Sequence, residues 1–238
     1  MIKSFKKKKI LVTGYFSGIG NDLIKKYLSL GAEVFSTSTK KEFKKKNLQV
    51  FRCDFLNEVS KVNFFKKIEK INFDIVVNNA GINIIDEIYK LSDDDLENII
   101  KINLTIPAQI IKITSKKMIK NRSGKIINIS SIFGSVSKSK RASYSSSKSG
   151  LLGLTRACAL DLAKHNILVN SVSPGFVNTS LTKRILGKNT ITKIKRDIPL
   201  KKLATPSEII PYIIFLTSDH NKYITGQNCV IDGGYTIQ

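Results

Sequence analysis

Short runs rich in Val, Ile and Phe alternate along the chain with longer stretches whose apolar positions recur at helical spacing. That alternation predicts a doubly wound α/β sheet, mostly parallel, with helices on its faces. Lys9 to Thr13 reads as the first strand, and Gly18 to Leu30 as a helix closed by Gly31 in a left-handed cap. Strands follow at Glu33 to Thr37, Leu48 to Arg52 and Asp74 to Asn78. Ser92 to about Lys120 is helical, with Pro107 starting or bending its second part. Lys125 to Ser130 predicts a buried strand, Ser143 to about Lys164 a long helix, and Ile167 to Ser173 a strand ending at Pro174-Gly175. Thr205-Pro206-Ser207-Glu208 is a helix start with a capping box, and Asn228 to Ile231 a last strand. No repeat or linker interrupts the pattern, which predicts one domain over residues 1–238 with about seven parallel strands.

Composition changes this picture little. Hydrophobic residues make up 42% of 238, enough for an ordinary core. Forty Lys+Arg against eighteen Asp+Glu leave a net charge of +22, which raises nucleic acid or an anionic membrane as a partner. Only six of the forty are Arg, and the Lys surplus is scattered and travels with Ile and Asn, as A/T-rich codons would produce. No nucleic-acid-binding motif accompanies the charge, so nucleic acid is not the expected partner. Cys53, Cys158 and Cys229 lie far apart and form no disulfide framework. With only His165 and His220 beside them, no metal site is expected; the three thiols suit a core in a reducing cytoplasm. The longest apolar run, Ile209 to Leu216, is too short to span a membrane.

The candidate chemistry begins after the first strand, at Thr13-Gly14-Tyr15-Phe16-Ser17-Gly18-Ile19-Gly20. Three glycines between strand and helix allow a tight turn, and the helix N-terminus offers oriented N–H groups to a pyrophosphate. The spacing resembles the T-G-x3-G-x-G signature of the short-chain dehydrogenases/reductases. Other motifs similar to that family follow in order: Asn78-Asn79-Ala80-Gly81, Asn103, Ser131, Tyr144 with Lys148 as Y-x3-K, Pro174-Gly175 with Thr179, and Ile224-Thr225-Gly226 before Asp232-Gly233-Gly234. Seven Tyr and 34 Lys produce roughly one Y-x3-K by chance, so that pair counts only because Ser131 stands thirteen residues earlier. The resemblance spans the whole chain and is nearest to the 3-oxoacyl-acyl carrier protein reductases. It implies a Rossmann-type domain and hydride transfer between a nicotinamide and a carbonyl or secondary alcohol.

Tyr144 and Lys148 are four apart, hence on one face of the predicted helix. An adjacent ammonium would favour the phenolate, and bringing tyrosine from a pKa near 10 to about 7 takes roughly 4 kcal/mol, which Lys148 and an oxidised nicotinamide ring could share in a dry site. By resemblance Tyr144 is the acid/base, Lys148 also holds the nicotinamide ribose, and Ser131 steadies the substrate oxygen. Ser130 competes with Ser131, but neighbours on a strand face opposite ways. Asn103 would support a water-linked proton path behind Lys148.

The resemblance further implies that Gly14, Ser17, Gly18, Ile19 and Gly20 cradle the nucleotide, with Thr37 at its ribose and Asp54 at its adenine. Asn78, Ala80 and Gly81 would pass close to the adenosine ribose, with Pro174, Gly175, Val177 and Thr179 at the nicotinamide. No acid follows the second strand; Ser36 to Lys41 offers hydroxyls and two Lys, which favours NADP over NAD. Ser17 tempers this, standing where many NADP-using relatives carry a base.

The expected substrate is a 3-oxoacyl thioester, small or linked to acyl carrier protein, with a sugar or sugar-nucleotide dehydrogenase as the alternative. A nucleic-acid-binding or regulatory protein on the same fold is a remote third. Lys138, Lys140 and Arg141 would surround the substrate mouth, Arg122 matches a carrier-docking position, and Ser180 to Leu200 would form the lid. A homotetramer or homodimer is implied, through the helices near Leu104 to Lys120 and Ser143 to Lys164, whose face Leu151, Leu154, Cys158 and Leu162 suits an interface or a core equally.

Overall fold

The computed structural model describes residues 5–16 and 18–238, leaving aside the side chains of Leu181, Arg184, Ile185 and Lys188. Ser17 therefore lies outside the described residues. Eight strands form one sheet in the order β3-β4-β2-β1-β5-β6-β7-β8. They are β1 (Lys9–Val12), β2 (Glu33–Ser38), β3 (Phe43–Lys45), β4 (Leu48–Arg52), β5 (Ile75–Asn78), β6 (Gly124–Ile129), β7 (Ile167–Pro174) and β8 (Asn228–Ile231). Seven run parallel, as expected; β3 is an antiparallel edge strand of three residues.

Strand periodicity sends alternate side chains to opposite faces. Ile10, Val12, Val34, Val50 and Val77 join one core with α1 (Gly18–Ser29) and α7 (Pro206–Thr217). Leu11, Phe35, Phe51, Val76 and Val169 join another with α2 (Glu58–Glu69), α4 (Ile106–Asn121) and α5 (Ala142–Ala163). With both faces covered, the central strands read as continuous apolar runs. Leu151 and Leu162 are buried, and Leu154 and Cys158 are half-buried against the second core.

The expected caps are present: Gly31 has φ +87, and Thr205 forms a capping box with Glu208. The helical stretch after Ser92 is α3 (Asp93–Ile100), a π turn at Lys101–Thr105, and α4. Pro107 explains the interruption, since it has no N–H to give the Asn103 carbonyl four residues earlier. The expected lid holds α6 (Ser180–Asp197), broken at Gly187, whose φ is +66. Its second part carries a small core of its own, Ile194, Ile198 and Leu203 against Phe176 and Tyr235. Among the described residues, no helix is long and apolar enough to cross a membrane.

β1 pairs with β2 on one side and β5 on the other, so the connections leaving β1 and β5 diverge at their carboxyl ends. An open α/β sheet places its binding crevice at such a point.

Candidate active site

The crevice is a cavity of about 420 Å³ that runs without interruption from Gly14, Thr37 and Asp54 to Ser131, Tyr144 and Lys148. Its first end is built from backbone and short polar side chains. Gly14 has φ +87, and its N–H donates to the Thr37 hydroxyl at 3.0 Å. The Thr13 hydroxyl accepts from the N–H of Asn79 and of Ala80, at 3.0 and 2.9 Å, tying β1 to the turn after β5. The Asn79 amide donates back to the Thr13 carbonyl at 2.8 Å. A side chain on Gly20 would collide with that amide and with the Gly14 carbonyl, so this glycine serves close packing rather than the cavity wall.

Gly18, Ile19, Ala80 and Gly81 line the cavity with Gly14, as do Pro174, Gly175, Val177 and Thr179 at the opposite lip. Asp54 is exposed at the mouth, its carboxylate accepting from the Leu56 N–H at 3.0 Å. Asn78 departs from the expectation. It is buried behind the wall, its amide donates to Asn128 at 2.8 Å, and it does not reach the cavity. Its neighbour Asn79 does, because successive strand residues face opposite ways. A glycine turn, a helix N-terminus behind it and a long cleft free of Cβ atoms at Gly14 and Gly18 fit a dinucleotide.

The other end is built from buried chemistry. Ser131 follows β6 and lines the cavity with Tyr144, on the first turn of α5; its hydroxyl accepts from the Phe133 N–H at 3.2 Å. Ser130 also borders the cavity, but its hydroxyl donates to the Lys148 carbonyl at 3.2 Å. Lys148 is 4% exposed; its ammonium donates to the Ile129 carbonyl at 2.8 Å and lies 5.7 Å from the centroid of the Tyr144 ring. Burial brings its pKa down to about 8 from an ordinary 10.5.

Tyr144 lies beside Lys148 at the same end of the cavity. Burial holds its phenol above the ordinary tyrosine pKa, against the pull of the Ser131 hydrogen bond and the Arg141 guanidinium. The Lys148 ammonium is engaged by the Ile129 carbonyl.

Asn103 is fully buried and does not line the cavity. Its carboxamide accepts from the Ile82 N–H and donates to the Ile82 carbonyl, both at 2.9 Å, and donates to Ser147 at 3.0 Å. It therefore locks the Gly81-Ile82 turn against α5. Gly81 permits this, since a Cβ there would sit 3.1 Å from the Asn103 oxygen and 3.7 Å from the Lys148 nitrogen.

Three contributors escaped the sequence reading: Thr13, Asn79 and the placement of Arg141. Arg141 is not at the rim but in the cavity wall, 7% exposed. Lys138 and Lys140 are exposed, and Lys140 lies 3.6 Å from Glu87.

A parallel sheet with a glycine turn after β1 and Ser131, Tyr144 and Lys148 at one cavity defines an NAD(P)-dependent oxidoreductase, and the chain belongs to the short-chain dehydrogenase/reductase family. The family model described as enoyl-(acyl carrier protein) reductase matches residues 14–236. Among individual proteins, the chain is 38% identical over 237 residues to the 3-oxoacyl-[acyl-carrier-protein] reductase FabG of Buchnera aphidicola, covering 96% of this chain and 97% of that one. Among solved structures, a 4-hydroxyisoleucine dehydrogenase mutant complexed with NADH and succinate matches with a TM-score of 0.91 and 35% identity, over 97% of this chain and 99% of that one. ElxO with NADP bound matches with a TM-score of 0.88 and 30% identity, over 98% and 100%.

Proposed function

We propose that this enzyme reduces the ketone of a 3-oxoacyl thioester carried by acyl carrier protein, with NADPH as reductant. The observation that carries the reading is the convergence of Ser131, Tyr144 and Lys148 at the far end of a cavity that begins at the glycine turn. The thioester and its carrier come from the full-length similarity to 3-oxoacyl-acyl carrier protein reductases.

Bound nicotinamide would supply the hydride; the chain's own groups handle the oxygen. Ser131 and Tyr144 donate hydrogen bonds to the ketone oxygen, and Tyr144 delivers its proton as negative charge builds there. Lys148, half neutral near pH 8, holds the nicotinamide ribose and relays the replacement proton. Asn103 positions that relay through Ser147, and its main-chain carbonyl, deprived of a helical donor by Pro107, is the group open to a water.

The preference for NADPH rests on the end of β2. Thr37, Ser38 and Thr39 line the cavity there without an acid, and the Lys40 ammonium lies 5.3 Å from the centroid of the Phe16 ring at the same lip. The Thr37 and Ser38 hydroxyls accept from the N–H groups of Gly14 and Lys40, both at 3.0 Å, and keep their O–H groups to meet a 2′-phosphate beside Thr39 and the two exposed lysines. The basic surface suits an acidic carrier protein. A homodimer or homotetramer and a reducing cytoplasm fit the family and the three free cysteines.

Following nucleotide absorbance with 3-oxobutyryl-acyl carrier protein tests this. Turnover with NADPH at least several-fold above NADH is expected. Turnover of a keto sugar with none of the thioester would replace the substrate assigned here.

A further inference from the structure

Arg141 is the odd member of the catalytic end. It caps the N-terminus of α5 with φ −125 and ψ 13, an ordinary conformation that demands no particular side chain. Its guanidinium packs 5.6 Å from the centroid of the Phe133 ring, which in turn lies 6.5 Å from that of Tyr144. One N–H reaches the Asn83 side-chain oxygen, at a long 3.4 Å. No carboxylate among the described residues forms an ion pair with it. Among the described residues, the only acid on the cavity wall is Asp54, exposed at the nucleotide end.

Three physical terms oppose a cation at this position. Burial removes its hydration, the helix N-terminus presents the positive end of the dipole, and no counter-charge is supplied. A residue so placed is stabilised when a ligand brings the missing anion. The nucleotide phosphates belong to the glycine turn at the opposite end of the cavity, so this anion belongs to the substrate. A guanidinium fork matches a carboxylate with two parallel N–H donors, a better partner than the single neutral oxygen of a thioester.

We propose that Arg141 binds a substrate carboxylate, so that the same site also takes free short-chain 3-oxo acids. The proposal rests on Ser131 and Tyr144 receiving the ketone. Hydride from NAD(P)H adds to the ketone carbon, the proton of Tyr144 goes to its oxygen, and the nucleotide leaves oxidised. The product is a 3-hydroxy acid whose carboxylate is unchanged throughout. Asn83 orients the guanidinium, and Phe133 keeps it dry beside Tyr144.

Binding without turnover gives the first test. Butyrate and its neutral isostere butyramide are titrated calorimetrically into the enzyme saturated with NADPH. Butyrate is expected to bind at least tenfold tighter, and R141Q to abolish the gap. Equal affinities on the wild-type enzyme overturn the proposal even if R141Q fails to fold, and so does a gap that survives in folded R141Q. Turnover gives the second. The ratio of kcat/KM for 3-oxobutyrate to that for its pantetheine thioester should fall at least thirtyfold in R141Q. An unchanged ratio, or a wild-type enzyme that reduces the thioester but not the acid, contradicts it. Selective butyrate binding with no thioester turnover would instead remove the thioester reading and leave the role of Arg141 standing.

Discussion

The two ends of the cavity are built on opposite electrostatic terms. At the nucleotide end, Thr13, Thr37 and Asn79 are neutral and satisfied by backbone partners at 2.8 to 3.0 Å. At the catalytic end, Lys148 and Arg141 are buried cations whose only hydrogen bonds go to a carbonyl and an amide oxygen. Satisfied neutral groups hold a shape at little cost, whereas buried charges without counter-ions destabilise the empty protein. The first end is thus organised by folding alone, and the second is completed by what binds.

The largest effect that would sharpen this contrast is on turnover. Tyr144→Phe removes the proton donor and leaves the ring contacts with Phe133 in place. It should lower kcat by more than about 10²-fold, the lower range for general-acid loss. Retention of a tenth of wild-type turnover would move the acid role elsewhere.

Next comes stability against pH. Burial depresses Lys148 to about 8, while the unfolded chain holds that proton to about 10.5. Between those values the unfolded state binds more protons, so stability rises with pH by up to ~1–3 kcal/mol. Chemical denaturation of the nucleotide-free protein should show this rise in wild type and lose it in Lys148→Met. Parallel curves for the two would mean that Lys148 is not depressed.

The smallest effect concerns the nucleotide. The Thr37 side chain accepts from the Gly14 N–H, so an acid there would act on the glycine turn as well as on the nucleotide. Ser38→Asp places a carboxylate at the cavity lip instead, and should shift relative affinity about tenfold toward NADH, about 1.4 kcal/mol. Titration of both nucleotides checks it; an unmoved ratio would place the 2′ position away from β2.

Much of the fold was legible because β-strand and helix periods differ. All seven parallel strands fall within a residue or two of their expected limits. β3 was not, since its three residues carry two lysines and a single phenylalanine, too few to show alternation. α2 was missed although Asn57 caps it and Lys61, Phe64 and Ile68 lie on one buried face, because charged residues dominate its remaining positions. In the site, resemblance to the family's ordered motifs pointed to Ser131, Tyr144 and Lys148, which the fold brings to one cavity. It could not locate Arg141, which belongs to a run with Lys138 and Lys140 that reads as solvated surface. Nor could it show where the Lys148 ammonium goes: four residues of spacing place it on the face of Tyr144, and the Ile129 carbonyl then takes it.

The division of labour between the two ends is tested most directly by NADPH affinity in two variants, Tyr144→Phe and Asn79→Ala. Asn79 braces the glycine turn through Thr13, so its loss should weaken NADPH binding about tenfold, while Tyr144→Phe binds NADPH within about threefold of wild type despite its lost turnover. Comparable loss of nucleotide affinity in Tyr144→Phe, or none in Asn79→Ala, would contradict the separation of binding from chemistry.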